Sequence, residues 1–325
     1  MTAAAQPGTS TRPVAVFVLG MARSGTSALT RVLSLCGGTL PPGMVGANRS
    51  NPLGYWEPRE AAVLNYATLR RHGSSRFDPS LRLQEEGAFG ADERAACIAE
   101  ISAFLTTLPA APLVVIKDPL IAVLSDVWFE AARLAGFDIA AVIAVRHPQE
   151  VSESCRASYR ISPDLSGALW LKYSLLSERC TRGFPRVFVE YANLLDDWRR
   201  EVKRISAALG IDLNTQDEAA VEAFLASDQR HQRHCGPVAE PFGTDWVSAV
   251  HEALRAAARD EPWDQSALDR VFEAYRASEH GFRTVFKDYR DGPRGFERSR
   301  VLPPSIIRLG FEILAMAHRR RGTWA

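Results

Sequence analysis

Short runs of consecutive apolar residues punctuate the first part of the chain: 14–19 (VAVFVL), 112–117 (PLVVIK), 139–145 (IAAVIAV) and 186–191 (RVFVEY). Runs that are β-branched and apolar on successive positions predict strands buried on both faces, as in a parallel sheet. Between them, apolar positions recur with helical period over 26–36, 57–72, 92–108 and 125–135. This alternation predicts an α/β fold with a mostly parallel central sheet flanked by helices. Beyond Leu195 the strand signals stop, and helical periods over 196–209, 218–226, 246–258 and 265–277 predict extra C-terminal helices packed on the sheet.

With 325 residues and 46% apolar composition, the chain can bury a substantial core. Residues 1–13, rich in Ala, Thr, Ser, Pro and Gln, read as a disordered tail without the apolar core of a secretion signal. Residues 14–300 read as one domain and 301–325 as a helix with a basic end. Thirty-nine Lys and Arg oppose thirty-eight Asp and Glu, for a formal charge of +1. No global field recruits nucleic acid, so any anion must be held by local geometry. Five cysteines with no Cys-x-x-Cys argue against a disulfide framework or a zinc knuckle and fit reduced thiols in a cytoplasmic protein.

In an open parallel sheet, ligands sit beyond the carboxyl ends of the strands. Four places therefore matter: Gly20 onward, Lys117 onward, Arg146 onward and Tyr191 onward. The first reads Gly20-Met-Ala-Arg23-Ser24-Gly25-Thr26-Ser27 between a strand and a helix. In that setting a glycine-rich turn presents backbone N–H groups and a helix N-terminus to a phosphate. An ATP-binding loop carries a lysine after its second glycine, to reach the outer phosphates, and a hydroxyl to hold Mg²⁺. Here Thr26 occupies the lysine's place. Amides, the hydroxyls of Ser24, Thr26 and Ser27 and the single cation Arg23 suit one esterified phosphate better than a triphosphate.

The third strand ends in VRHPQEVSES, with Arg146 at the strand end, Pro148 in a first helical turn and Ser154 about two turns further. A guanidinium fork with a hydroxyl makes a clamp for a phosphate monoester. Together, Gly-x-x-Arg-Ser-Gly-Thr-Ser after the first strand and Arg-x-Pro with a Ser eight residues past the Arg resemble the two cofactor motifs of the sulfotransferases that use 3'-phosphoadenosine 5'-phosphosulfate (PAPS). The likeness covers Val14 to about Leu195. NPLGYWEPREAAVLN and Lys117-Asp118-Pro119 are similar to segments of bacterial members.

The resemblance implies a fold like that of P-loop nucleoside triphosphate hydrolases, with PAPS as co-substrate, PAP (3'-phosphoadenosine 5'-phosphate) as product, and no metal. It implies that Arg23, Ser24, Gly25, Thr26 and Ser27 bind the 5'-phosphosulfate and that Arg146 and Ser154 bind the 3'-phosphate. Arg23 would also face the charge growing on the leaving group. Many cytosolic relatives carry Lys-x-His where this chain has Lys117-Asp118-Pro119, so Pro119 takes the histidine's place. A polysaccharide-modifying branch uses a glutamate downstream of the first helix, and Glu57 in GYWEPRE is its counterpart. Glu57 reads either as the base or as an acid favoured by a helix N-terminus, with Glu60 and Asp118 as lesser candidates. Lys117 would add positive charge near the sulfuryl group. VEYANLL resembles the family's Tyr-Glu-Asp-Leu segment with Ala192 and Asn193 substituted, so Tyr191 reads as a cofactor residue or as a buried strand-end tyrosine.

The expected activity is transfer of a sulfuryl group to a hydroxyl or amine of a carbohydrate, lipid or small-molecule acceptor. Two rivals stand beside it: a kinase with an unusual P-loop, and a non-catalytic binder of 3'-phosphoadenosine nucleotides. DQRHQRHC (228–235) puts His231, His234 and Cys235 close together without a distant pair to complete four ligands, which speaks against zinc. The family's late Arg-Lys-Gly loop has no counterpart here. PPSIIRLGFEILAMAHRRR (303–321) predicts a helix too short to span a membrane, which needs about twenty apolar residues. It reads as a helix packed on the domain, with a membrane-surface or dimer contact as the alternative.

Overall fold

The computed structural model describes residues 12–48, 51–215, 217–227, 237–240, 242–278 and 304–319. Its framework is a four-stranded, all-parallel sheet in the order β2-β1-β3-β4, built from β1 (Val14–Leu19), β2 (Leu113–Lys117), β3 (Asp138–Val145) and β4 (Arg186–Glu190). The apolar runs define all four strands within a residue at either end. Val16 stands beside Val115 on one side and Ala140 on the other, so β1 is central.

Alternation within β1 divides the interior in two. Ala15, Phe17 and Leu19 face a large core that includes Trp128, Trp170 and Tyr275; Val16 and Val18 face a second core with Leu29, Leu33, Trp198 and Ile205. Helices cover both faces, which is why the strands read as continuous apolar runs. The helices before β3 are α1 (Thr26–Leu35), α2 (Arg59–Arg71), α3 (Ala91–Thr106) and α4 (Ser125–Leu134). α5 (Pro148–Tyr159) and α6 (Pro163–Cys180) lie between β3 and β4. α7 (Tyr191–Asp196), α8 (Trp198–Leu209), α9 (Glu218–Ser227), α10 (Trp246–Ala257), α11 (Gln265–Ala277) and α12 (Pro304–Arg319) follow.

Two differences from the sequence reading have physical causes. Leu165, Trp170, Lys172, Tyr173 and Glu178 of α6 are all buried, so this longest described helix shows no amphipathic stripe to announce it. Tyr191 starts a helix and does not end β4. Asp197, whose side chain accepts from Arg200 N, then caps α8 and splits the predicted 196–209 segment from α7. The segment DQRHQRHC lies outside the described residues, as do residues 1–11 of the expected tail.

Chain order runs from β1 to β2 on one side and then to β3 on the other. Neighbouring strands β1 and β3 thus open a crevice at their carboxyl ends, where Gly20 and Arg146 begin their loops. The loops are close: a Cβ on Gly20, at φ +123°, would sit 2.8 Å from the Ala144 carbonyl. Only glycine fits that approach.

Candidate functional site

The turn after β1 brings Arg23 to φ 74° and Gly25 to φ 89°, so the chain enters α1 through two left-handed residues. No side chain caps α1. The amides of Gly25, Thr26 and Ser27 have no hydrogen-bond acceptor among the described residues, whereas Ser24 N donates to the Met21 carbonyl at 3.1 Å. An uncapped first turn of this kind is a ready receptor for an anion. Ser24 and Thr26 are buried within it, and Ser27 Oγ donates to the Tyr55 carbonyl at 3.0 Å.

Tyr191 supports this turn from beneath. Its ring lies so close to Gly25 that a Cβ there would fall 2.3 Å from Cδ2. The Arg146 guanidinium stacks over the ring, 4.7 Å from its centroid. Tyr191 thereby joins the loop after β1 to the end of β3. Arg146 Nε donates to Glu150 Oε2 at 2.9 Å, and Nη1 donates to the Arg23 carbonyl at 2.9 Å. Glu150 is fully buried, and an acid one turn beyond Arg146 holds the fork in one orientation. Arg23 Nε in turn donates to Ser154 Oγ at 2.9 Å. The eight-residue step from Arg146 to Ser154 does carry the hydroxyl back to the strand ends, and Arg23 meets it there.

A second cluster lies at the end of β2. Lys117 is buried, and its Nζ donates to Glu57 Oε1 at 2.5 Å, to the Tyr55 carbonyl at 3.1 Å and to Ser27 Oγ at 3.4 Å. One ammonium thus ties the first turn of α1 to the 41–58 connection. Asp118, the next residue, is buried and accepts from Leu120 N at 2.8 Å. Burial, and then the charge of nearby Glu57, push its carboxyl up to about 6.

Glu57 and Asp118 line an open cleft. Tyr66, Phe77, Tyr159 and Tyr173 supply much of its wall. Arg76 also faces it, donating to the Tyr66 hydroxyl at 3.1 Å and the Tyr159 hydroxyl at 3.0 Å while lying over the Phe77 and Tyr159 rings. Aromatic walls with two carboxylates suit a partly apolar molecule bearing a hydroxyl or amine. Trp56 is not part of this wall: it is buried against Phe224 and under Arg31.

Arg23, Ser24, Gly25, Thr26, Ser27, Arg146, Ser154 and Tyr191 therefore gather at the β1/β3 crevice, and Glu57 and Lys117 pair beside it. The sequence reading did not include Glu150, Arg76, Tyr66, Tyr159 or Tyr173. Glu150 has a readable signal in its i,i+4 spacing from Arg146. The cleft residues come from α2, the 72–81 stretch, α5 and α6, and only the tertiary fold unites them.

No protein-family profile matches the chain, and no curated protein sequence does. Among solved structures, the chain is similar to the sulfotransferase domain from the curacin biosynthetic pathway, at 15% identity over 81% of this chain and 97% of that one, with a TM-score of 0.39. The sulfotransferase domain of the Synechococcus PCC 7002 olefin synthase aligns at 19% identity over 83% and 97%, with a TM-score of 0.40. Sulfotransferase STF1 from Mycobacterium tuberculosis H37Rv aligns at 16% identity over 67% and 72%, with a TM-score of 0.32.

Proposed function

We propose that the protein is a PAPS-dependent sulfotransferase. The observation that carries this reading is the joint between the two strand ends: Arg146 donates to the backbone of Arg23, and Arg23 donates to Ser154. Two guanidinium groups and a hydroxyl stand beside a helix N-terminus with three open amides, while the position of an ATP loop's lysine is a buried threonine. That equipment fits a nucleotide with two separate phosphates better than one with a γ-phosphate and Mg²⁺.

PAPS, when bound, supplies an activated sulfuryl group on a nucleotide leaving group. The amides of Gly25, Thr26 and Ser27 and the α1 dipole hold the 5'-phosphate. Arg146 and Ser154 take the 3'-phosphate, with Glu150 fixing the guanidinium. Arg23, between the two, offsets negative charge that grows on the leaving phosphate. Lys117 adds positive charge where the sulfuryl group is transferred. Glu57 accepts the proton of the acceptor's hydroxyl or amine, which the aromatic cleft holds in line. The acceptor is an amphipathic molecule of the carbohydrate, lipid or small-metabolite classes.

Thermal unfolding with nucleotides tests the proposal. PAP at about a hundred times its dissociation constant should stabilise the protein by about 2.7 kcal/mol without Mg²⁺. A shift given only by ATP with Mg²⁺ would point to the kinase instead. A shift with PAP but no transfer from labelled PAPS to any acceptor class would point to a non-catalytic binder.

A further inference from the structure

The last described helix carries two unlike faces. Toward α2, Arg308 donates to Glu60 Oε1 at 2.8 Å, Glu312 pairs with Arg59, Phe311 meets the Tyr66 ring at 6.3 Å between centroids, and Ala315 is fully buried. Away from α2 stand Ile306, Leu309, Ile313 and Met316, exposed by 46%, 57%, 53% and 48%. Their spacing of three, four and three residues lines them along one stripe of α12. With Leu134 they make up all the exposed large hydrophobic residues described, so four of the five lie on one helix face.

Charge says what covers the stripe. Residues 304–325 contain four arginines and one acid, whereas the rest of the chain carries thirty-five basic against thirty-seven acidic residues. Arg308 and Glu312 are both engaged with α2, which leaves the run His318-Arg319-Arg320-Arg321, two residues after Met316 in the sequence, as the local excess. An apolar face next to a basic run fits an interface that is apolar inside and anionic at its surface. A second copy fits less well. Four roughly half-exposed side chains offer a few hundred Å², short of the about 800 Å² per partner of a standard interface. Parallel pairing of two α12 helices would also set arginine run against arginine run.

We propose that α12 is a membrane-surface helix, which lays Ile306, Leu309, Ile313 and Met316 into an anionic phospholipid bilayer, with the basic run that follows them in the sequence drawn to the headgroups. No described helix is long and apolar enough to cross a membrane, so the protein would lie on the surface. The contact of Phe311 with Tyr66 would bring the cleft wall to within one helix of the lipid. The inference stands on α12 and the basic run that follows its apolar stripe in the sequence, and holds whichever nucleotide the crevice binds.

The test is sedimentation of the full chain with vesicles of phosphatidylcholine alone and of phosphatidylcholine containing phosphatidylglycerol. Binding is expected to the anionic vesicles only, and to weaken as salt is raised. The exposed triple variant Ile306→Ser, Leu309→Ser, Ile313→Ser should bind at least about tenfold more weakly. Arg319→Gln, Arg320→Gln and Arg321→Gln should each cost about fivefold on anionic vesicles. These charge variants keep the test decisive if the serine variant does not fold. Protein that stays in solution with anionic vesicles, or arginine variants that bind them as well as the parent, would overturn the proposal. So would a dimer in light scattering that the serine substitutions dissociate.

Discussion

Lys117 Nζ and Glu57 Oε1 meet at 2.5 Å, across sixty residues of sequence, with the lysine buried and the glutamate facing the cleft. The pairing orients the Glu57 side chain before an acceptor arrives, as its proposed role as base requires. Glu57→Gln keeps an acceptor oxygen for Lys117 but removes the proton acceptor. Turnover should fall by about 10² to 10⁴, while affinity for PAP changes little; steady-state rates beside titration calorimetry read the two separately. Near-normal turnover would move the base to Asp118.

Arg146→Ala removes the guanidinium that spans Glu150 and the Arg23 carbonyl. Losing charge-assisted hydrogen bonds worth about 1.5 to 3 kcal/mol each should weaken PAP by about tenfold or more. Adenosine 5'-phosphosulfate, which has no 3'-phosphate, should lose much less. Equal losses for both nucleotides would show that Arg146 only braces the loop after β1.

Gly25→Ala combines a backbone penalty at φ +89° with a Cβ 2.3 Å from the Tyr191 ring. Strain of about 1 to 3 kcal/mol or more is expected, read as a lower melting temperature together with weaker nucleotide binding. Tyr191→Ser in the same chain should recover part of the stability by making room. No recovery would mean that the backbone conformation alone carries the penalty.

What the sequence made legible follows from what each feature depends on. Strand runs and the Gly20 to Ser27 turn depend on local composition, so they were readable in place. Arg146 and Ser154 needed only a strand followed by a helix. Arg76, Tyr159 and Tyr173 have no local pattern, because burial and chain topology bring them together. α6 escaped for the opposite reason, since burial all round erases the periodicity that marks a surface helix. Asp118 stood in the sequence as a lesser candidate, and nothing in Lys-Asp-Pro foretells a carboxyl wholly enclosed beside a second one.

That enclosure makes Asp118 a pH-dependent weight on stability. Its carboxyl titrates near 3.8 when exposed and at about 6 in the folded protein, chiefly through burial and then through Glu57. Between those values the folded state binds more protons than the unfolded one, so stability falls as pH rises through this window and levels off above it. The shift corresponds to about 3 kcal/mol at most. Asp118→Asn retains an oxygen for Leu120 N but does not ionise. Across pH 4 to 7, the stability of the parent relative to this variant should therefore decline, in denaturant titrations run in matched buffers. A difference that stays flat across the window would show that Asp118 ionises as readily in the fold as in the unfolded chain.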